Sequence, residues 1–227
     1  MTVHFEARRL HMVDKHLARR GIVDARVLAA FRRVPREVFV PSDLQDVAYA
    51  DAALPIGEGQ TISQPYVVAL TCAALALRGS ESVLEVGTGS GYAAAVLSLL
   101  ASKVFTVERI GLLANKARTR LSELGYANVE VACGDGSLGL PAHAAYDAIA
   151  VAAASPAVPS ALLSQLCIGG RLVMPVGTEH DDAQRLYRVT RDGLTDFSQE
   201  QLALVHFVPL VGEQGCRAED AWLRAMA

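Results

Sequence analysis

The chain has 227 residues, which suits one well-buried domain and is short of what two ordinary domains need. Hydrophobic residues make up 52% of it and charged residues 20%, a balance typical of a globular chain and unlike that of a disordered one. The net charge is -3 and adjacent basic residues occur only in isolated pairs, so nucleic acid is not expected as a partner.

Membrane and metal-binding classes are also not expected. No apolar stretch reaches the roughly 18 residues that a spanning helix needs, and the first residues lack the apolar core of an export signal. We therefore expect no membrane partner and a cytoplasmic location. The four cysteines and six histidines are scattered without the spacing of a metal or redox site, so no metal is predicted.

The chain begins with two helical patterns. A polar helix is predicted over residues 5–20, with Gly21 as its stop. Asp24 is suited to cap a second helix that runs through residue 34, and Pro35 ends it. These elements predict an N-terminal helical lead-in to the rest of the fold.

Residues 35–65 have no hydrophobic period and are filled with Pro, Gly and Asp. Loops of that length in compact domains are usually functional. Pro65 suits the first turn of a third helix, which is predicted to continue until Gly79.

After Gly79, short β-branched runs alternate with longer helical patterns, which is the signature of βαβ units. The predicted strands cover residues 82–86, 103–107, 128–132, 147–151 and 171–176, the last one after a turn at Gly169-Gly170. The predicted helices between them cover residues 92–100, 110–124 and 159–166. Two late strands, 185–190 and 202–208, face each other across an Asp192-Gly193 turn signal. Together these elements predict an α/β fold, a doubly wound sheet with a C-terminal antiparallel hairpin.

A glycine-rich loop, Gly87-Thr88-Gly89-Ser90-Gly91, lies directly between the predicted strand 82–86 and the predicted helix 92–100. A nucleotide-binding loop requires this context, because glycines let the backbone approach a ligand and the helix offers free N–H groups. The spacing is G-x-G-x-G, whereas a dinucleotide loop prefers G-x-G-x-x-G. By itself the loop predicts a nucleoside ligand, with NAD and a purely structural turn as alternatives.

Three acids stand at the ends of successive predicted strands. Glu85 ends the first strand and faces the crevice where open α/β sheets bind ligands. Glu108 ends the second, about 20 residues after Gly87, the usual reach for an acid that accepts both ribose hydroxyls. Asp135, in Gly134-Asp135-Gly136, ends the third and could receive an adenine amino group. Each acid taken singly could be a solvated loop acid or a helix cap. A carboxylate-rich rim suits a cofactor with a sulfonium cation and no phosphates, which favours S-adenosylmethionine over NAD.

The most specific motif in the chain is Leu54-Pro55-Ile56-Gly57-Glu58-Gly59-Gln60-Thr61-Ile62-Ser63-Gln64-Pro65. With it, the sequence resembles the protein-L-isoaspartate O-methyltransferase family over nearly the whole chain. Further matching segments, some of them shared by many methyltransferases, lie at residues 34–41, 83–92, 106–110, 134–136, 169–173 and 207–210.

The resemblance implies a class I S-adenosylmethionine-dependent methyltransferase fold, which is a Rossmann-like core with added N-terminal helices. It implies S-adenosylmethionine as methyl donor, S-adenosylhomocysteine as product and the free carboxylate of isoaspartyl residues in damaged proteins and peptides as acceptor. The ester then reverts to succinimide without the enzyme, which initiates repair. A carboxylate has a pKa of about 4 and is ionised at pH 7, so the reaction needs no general base.

Ser63 falls on the family's active-site serine, and we predict that its hydroxyl orients the acceptor. The alternative role for Ser63 is an N-cap for the helix that opens at Pro65. Residues 60–62 would close over the donor as a lid, and residues 207–211 would offer backbone hydrogen bonds to an extended acceptor peptide. The residues predicted to bind the cofactor are Gln60, Thr61, Ile62, Glu85, Gly87, Thr88, Gly89, Gly91, Glu108, Arg109, Asp135 and Gly136.

Two positions depart from the family pattern. Thr71-Cys72-Ala73 stands where a Met-Thr-Glu triplet is common, a difference that we interpret as helix packing. Cys216 stands where relatives often carry an aromatic residue, which makes the substrate range less secure than the donor. Two other functions remain as alternatives: a peptide-tailoring aspartate O-methyltransferase with one dedicated partner, and a binding module without catalysis.

We predict a single domain over residues 1–227. Residues 1–78 would form the helical lead-in and active-site loop, residues 79–210 the Rossmann-like core and residues 211–227 a tail. The protein is expected to be a monomer whose partners are isoaspartyl-containing proteins and peptides.

Overall fold

The computed structural model describes residues 5–178 and 181–217. Its N-terminal layer begins with α1 (Phe5–Met12), which continues as a π-helical turn (Val13–Leu17) and a 3-10 turn (Ala18–Arg20). Gly21 ends this run with a φ of 96°, a conformation that glycine adopts readily. The extent of the first predicted helix is therefore confirmed, but only its first part is α-helical.

The second helix, α2 (Ala25–Arg33), has the predicted start and ends one residue before the predicted end. The Asp24 carboxylate accepts hydrogen bonds from the backbone N–H of Arg26 at 2.8 Å and of Val27 at 3.2 Å. Val34 is extended because Pro35 follows it, so the helix stops there. Its apolar face is buried against the core.

Residues 35–65 contain more regular structure than the sequence predicted. The elements are two 3-10 helices and a separate two-stranded hairpin: Arg36–Phe39, Ser42–Val47, β1 (Leu54–Gly57) and β2 (Gln60–Ile62). Gly57, Glu58 and Gly59 all have positive φ and form the turn between the two strands. The hairpin was not predicted because Pro55 and these glycines are residues that usually weaken a strand. The helix α3 (Pro65–Leu75) follows and ends at Ala76, before the predicted stop.

The central sheet has seven strands: β3 (Ser82–Val86), β4 (Lys103–Glu108), β5 (Val129–Cys133), β6 (Tyr146–Val151), β7 (Leu166–Val176), β8 (Gln184–Arg191) and β9 (Phe197–Val205). Their order is β5-β4-β3-β6-β7-β8-β9, parallel from β5 to β7 and antiparallel at β8 and β9. The connecting helices are α4 (Tyr92–Ser98), α5 (Gly111–Glu123) and α6 (Ser160–Ser164). The predicted α/β sheet with its terminal antiparallel hairpin is confirmed. Across the described parts of the chain, every helix is too short or too polar to span a membrane.

Two strands extend beyond their predicted bounds. β7 begins at Leu166 and passes through Gly169 and Gly170, which the sequence predicted as a turn. The pairing of β6 with β7 shifts at this point, and a Cβ on Gly170 would lie only 2.8 Å from the carbonyl oxygen of Cys167. The glycines therefore serve an irregular strand. β9 begins at Phe197 and not at residue 202, because the four residues after Phe197 are polar and exposed and give no apolar signal.

The sheet is covered by apolar clusters on both faces. Val83 of β3 packs in one cluster with Phe31 of α2 and Leu97 of α4. The next residue, Leu84, points to the other cluster with Ile149 and Leu172. Successive side chains of a strand face opposite sides, so both faces of β3 are buried.

We expect Asp24→Ala to lower the free energy of unfolding by about 1 kcal/mol, the usual cost of removing an N-cap side chain. The N–H groups of Arg26 and Val27 would lose their acceptor. Urea denaturation measures the change. Asp43→Ala is the control, because Asp43 is exposed and has no side-chain partner among the described residues. Equal losses in the two variants would contradict the capping role.

Candidate active site

A cleft opens at the carboxyl ends of the parallel strands, where open α/β sheets bind ligands. Its walls are the glycine loop, β2 with the following serine, and residues 208–211 after β9. Most of the predicted site residues line it: Gln60, Thr61, Ile62, Ser63, Glu85, Gly87, Thr88, Gly89, Glu108, Arg109 and Gly136. Gly91 and Asp135, also in the described part of the chain, are not in its wall.

The glycine loop closes one end of the cleft before α4. Gly87 donates its backbone N–H to the carbonyl oxygen of Val107 at 2.9 Å, which ties the loop to β4. Gly87, Gly89 and Gly91 have φ angles of 93°, 53° and 93°, which side chains rarely adopt. A Cβ on Gly91 would lie 3.2 Å from Leu121 of α5. Gly91 thus lets the loop approach α5, which explains why it is outside the cleft wall.

Glu108 connects the end of β4 to the glycine loop. One carboxylate oxygen accepts the backbone N–H of Gly89 and the other that of Ile110, both at 2.9 Å. The residue is nearly buried and lines the cleft. Its contact with ribose hydroxyls stays a prediction, and the carboxylate is already held beside the loop.

Glu85 forms the floor of the cleft and is 1% exposed. The hydroxyl of Thr106 donates to one oxygen at 2.6 Å and lies 2.6 Å from the hydroxyl of Thr88, which must then donate to it. The other oxygen, Oε1, is buried without a hydrogen-bond partner among the described residues. Burial raises the pKa of Glu85 to about 8, and the charge of Glu108 adds to this while the Thr106 bond opposes it. An unsatisfied buried carboxylate oxygen is costly, and a cationic ligand would satisfy it.

Asp135, which was predicted to receive an adenine amino group, is not among the residues that line the cleft. Its carboxylate accepts the backbone N–H of Ser137 at 2.9 Å, the hydroxyl of Ser137 at 2.7 Å and the backbone N–H of Glu213 at 2.7 Å. Burial alone would raise the pKa of Asp135, but these hydrogen bonds hold it below its usual value. Its neighbour Gly136 does line the cleft. Gly136 packs closely against β3, because a Cβ at this position would lie 2.5 Å from Val86. A contact of Asp135 with adenine stays a prediction, and it would have to share oxygens that already accept hydrogen bonds.

Ser63 follows β2 and is not the cap of α3. The N-cap position is Gln64, and the carboxylate of Asp51 accepts the backbone N–H of Tyr66 at 3.2 Å. Among the described residues, the Ser63 hydroxyl has no hydrogen-bond partner. It lies in the wall of the cleft and is therefore free to meet a ligand.

A second cavity adjoins the cleft at Ser63 and Glu85. Its lining is mostly apolar and includes Val67 and Phe207. Thr71 and Cys72, part of the triplet that departs from the family pattern, also line it, whereas Ala73 does not. The departure therefore changes the wall of a cavity beside Ser63, and the interpretation as helix packing alone was incomplete.

The segment after β9 is partly held by the rest of the chain. The side chain of Gln184 accepts the N–H of Phe207 at 2.7 Å and donates to its carbonyl at 3.3 Å. The backbone N–H of Ala154 donates to the carbonyl of Val208 at 2.8 Å, and the Ala154 carbonyl accepts the N–H of Leu210 at 2.7 Å. Backbone hydrogen bonds from residues 207–211 to an acceptor peptide stay a prediction, and they would have to use the other backbone groups of the segment. Residues 208–211 line the cleft.

Sequence reasoning missed other residues of the cleft wall. They are Val68, Val86, Tyr92, Ala93, Val107, Ala152 and Ala153. Tyr92 directly follows the glycine loop, a position that could have indicated it. Ala152 and Ala153 follow β6, and only the order of the strands brings them beside β3.

A parallel sheet, a glycine loop after β3, an acid at the end of β4 and an unpaired carboxylate oxygen on the cleft floor fit one class. These features define a class I S-adenosylmethionine-dependent methyltransferase. The family model described as Protein-L-isoaspartate(D-aspartate) O-methyltransferase matches residues 7–215, and the chain belongs to this family.

Individual relatives agree. Protein-L-isoaspartate O-methyltransferase 1 of Rhodopseudomonas palustris (strain HaA2) is 57% identical over 211 residues, which is 93% of this chain and 86% of that protein. A solved protein-L-isoaspartate O-methyltransferase is 28% identical with a TM-score of 0.80, over 92% of this chain and 67% of that chain. A Plasmodium falciparum structure in complex with S-adenosyl-L-homocysteine shares the fold, at 24% identity and a TM-score of 0.75 over 89% of this chain and 98% of that one. The predicted family, reaction and donor are confirmed.

We expect the affinity for S-adenosylmethionine to rise with pH up to about 8, the pKa of Glu85 in the free enzyme. Below that pH the carboxyl is mostly protonated, and a bound cation favours its ionised form. Binding then releases a proton, so affinity rises by at most about tenfold per pH unit.

Isothermal titration calorimetry across this pH range measures the effect. Glu85→Gln cannot titrate, so its affinity should be weaker and should lack this pH dependence. Glu130→Gln, which changes an exposed carboxyl on β5, is the control. A pH dependence that persists unchanged in Glu85→Gln would refute the assignment.

Proposed function

We propose that this enzyme methylates the free carboxylate of isoaspartyl residues in damaged proteins and peptides and so initiates their repair. Ser63 orients the acceptor. The observation that carries this proposal is the Ser63 hydroxyl, which has no partner among the described residues and borders both the donor cleft and the second cavity. Membership in the isoaspartate methyltransferase family supports it.

The residues present fit S-adenosylmethionine. When bound, this cofactor supplies a methyl group on a positively charged sulfur. Glu85 offers an unsatisfied carboxylate oxygen to a cation, and the glycine loop lets the ligand lie close to the backbone. Glu108 is placed for hydroxyl groups, while Gln60 and Thr61 on the β1–β2 hairpin cover the cleft.

The side chains that line the cleft and the second cavity are consistent with a carboxylate as methyl acceptor. Such a group is ionised at neutral pH, so it needs no proton acceptor, and the described residues of the cleft wall include no histidine. The task of the protein is to position one oxygen in line with the methyl group and to exclude water. The apolar walls at Val67 and Phe207 favour neutralisation of the two charges during transfer. Ser63 donates its hydroxyl to the other carboxylate oxygen.

We expect Ser63→Ala to keep its affinity for S-adenosylmethionine and to lose on the order of a hundredfold in kcat, the usual cost of removing one positioned donor. Ser164→Ala is the control, because that hydroxyl bonds only within α6. Initial rates with an isoaspartyl peptide measure the loss, and calorimetry measures donor binding. Unchanged turnover in Ser63→Ala would refute the assigned role.

An isoaspartyl peptide and its normal-aspartate twin separate repair from peptide tailoring. We expect base-labile methyl label from S-adenosylmethionine on the isoaspartyl peptide alone, whatever residues flank it. The opposite preference would favour the tailoring alternative. No label on either peptide, with donor binding intact, would favour a binding module.

A monomeric state and a cytoplasmic location stay predictions from the sequence. The contact of Arg109 with the cofactor also stays a prediction, supported by its position in the cleft wall.

A further inference from the structure

The segment that carries Ser63 leaves and rejoins the body of the protein at one point. Asp51 precedes the β1–β2 hairpin and Gln64 follows Ser63. The side-chain amide of Gln64 donates to the Asp51 carboxylate at 2.9 Å and to the Asp51 carbonyl oxygen at 3.0 Å. These two bonds join the two ends of the hairpin segment.

The same carboxylate binds two other parts of the chain. One oxygen accepts the backbone N–H of Tyr66 and so caps α3. The other forms an ion pair with Arg20, whose guanidinium carbon lies 3.6 Å from the centre of the Tyr66 ring. The Asp51 side chain is only 13% exposed, so water competes weakly for these contacts.

The cap has a direct consequence for Ser63. Because Asp51 satisfies the N–H of Tyr66, the serine hydroxyl is not needed at the start of α3. Ser63 is the immediate neighbour of Gln64 in the sequence, so no flexible backbone separates the serine from the contacts of Asp51.

We propose that Asp51 is a positioning residue for methyl transfer, acting through Ser63 and the hairpin. Its carboxylate holds the hairpin base closed and leaves the serine hydroxyl free for the acceptor. This inference rests on the role proposed for Ser63. A displacement of about 1 Å at a reacting group costs on the order of a hundredfold in rate, so a loosened base would impair kcat.

The test compares Asp51→Ala and Gln64→Ala with the control Asp46→Asn. The control removes an exposed ion pair with Arg8 from the same region. Gln64→Ala keeps the cap and the Arg20 pair, so it remains informative if Asp51→Ala folds poorly. We expect kcat for an isoaspartyl peptide to fall at least about tenfold in Asp51→Ala and less in Gln64→Ala, measured well below each melting temperature. The affinity for S-adenosylmethionine should fall by a smaller factor than kcat, because the glycine loop and Glu85 are untouched and only Gln60, Thr61 and Ile62 of the donor cleft lie on the hairpin.

The double variant Ser63→Ala, Asp51→Ala distinguishes positioning from general destabilisation. If Asp51 acts through Ser63, the double variant is no slower than Ser63→Ala alone. Hydrogen exchange should also be faster at residues 54–63 in Asp51→Ala and unchanged in β3 and β4. Additive losses, or normal kcat in both folded single variants, would overturn the proposal. A normal Ser63→Ala would instead refute the role of Ser63, independently of Asp51.

Discussion

Parallel pairing of β3 with β4 is the constraint on which the donor site depends. The register places Glu85 beside Thr106 and Val86 beside Val107. The first pair lets the Thr106 hydroxyl hold one oxygen of Glu85, and Val107 provides the carbonyl that fixes Gly87. A shift of one residue would turn these side chains to the opposite faces of the sheet. One register therefore sets both the glycine loop and the carboxylate beneath it.

The acceptor side is held by side-chain contacts, because the β1–β2 hairpin is not paired with the seven-stranded sheet. Two arginines of the N-terminal layer hold the chain before it. Arg20 pairs with Asp51, and the fully buried Arg36 donates to the carbonyl of Ala48 at 2.7 Å. The Arg36 guanidinium also lies 4.8 Å from the ring centre of Tyr92, which walls the cleft. Burial lowers the pKa of Arg36, and the neighbouring Tyr92 and Asp51 act in the opposite direction. The helical addition thus fastens the acceptor segment to the donor core.

The pattern of the sequence predicted the elements that have strong local signals. β3 is where the apolar run places it, and the Asp24 cap is present, because a buried strand and an N-cap depend on neighbouring residues. The β1–β2 hairpin and the polar start of β9 were missed, since their residues are typical of turns or of solvent-exposed loops. Much of the site was predictable for the same reason, because a glycine loop and the acids at strand ends are short motifs.

The sequence by itself determined the class of fold, the donor loop and the family, because these follow from periodicity and from motifs a few residues long. Only the tertiary structure decided which groups are satisfied. It turned Asp135 toward Glu213, left one oxygen of Glu85 without a partner, and gave the cap of α3 to Asp51 in place of Ser63. Each of these outcomes depends on a contact or a burial that residues distant in the chain create. The competition among possible partners for one buried polar group is settled by packing, which no local pattern contains.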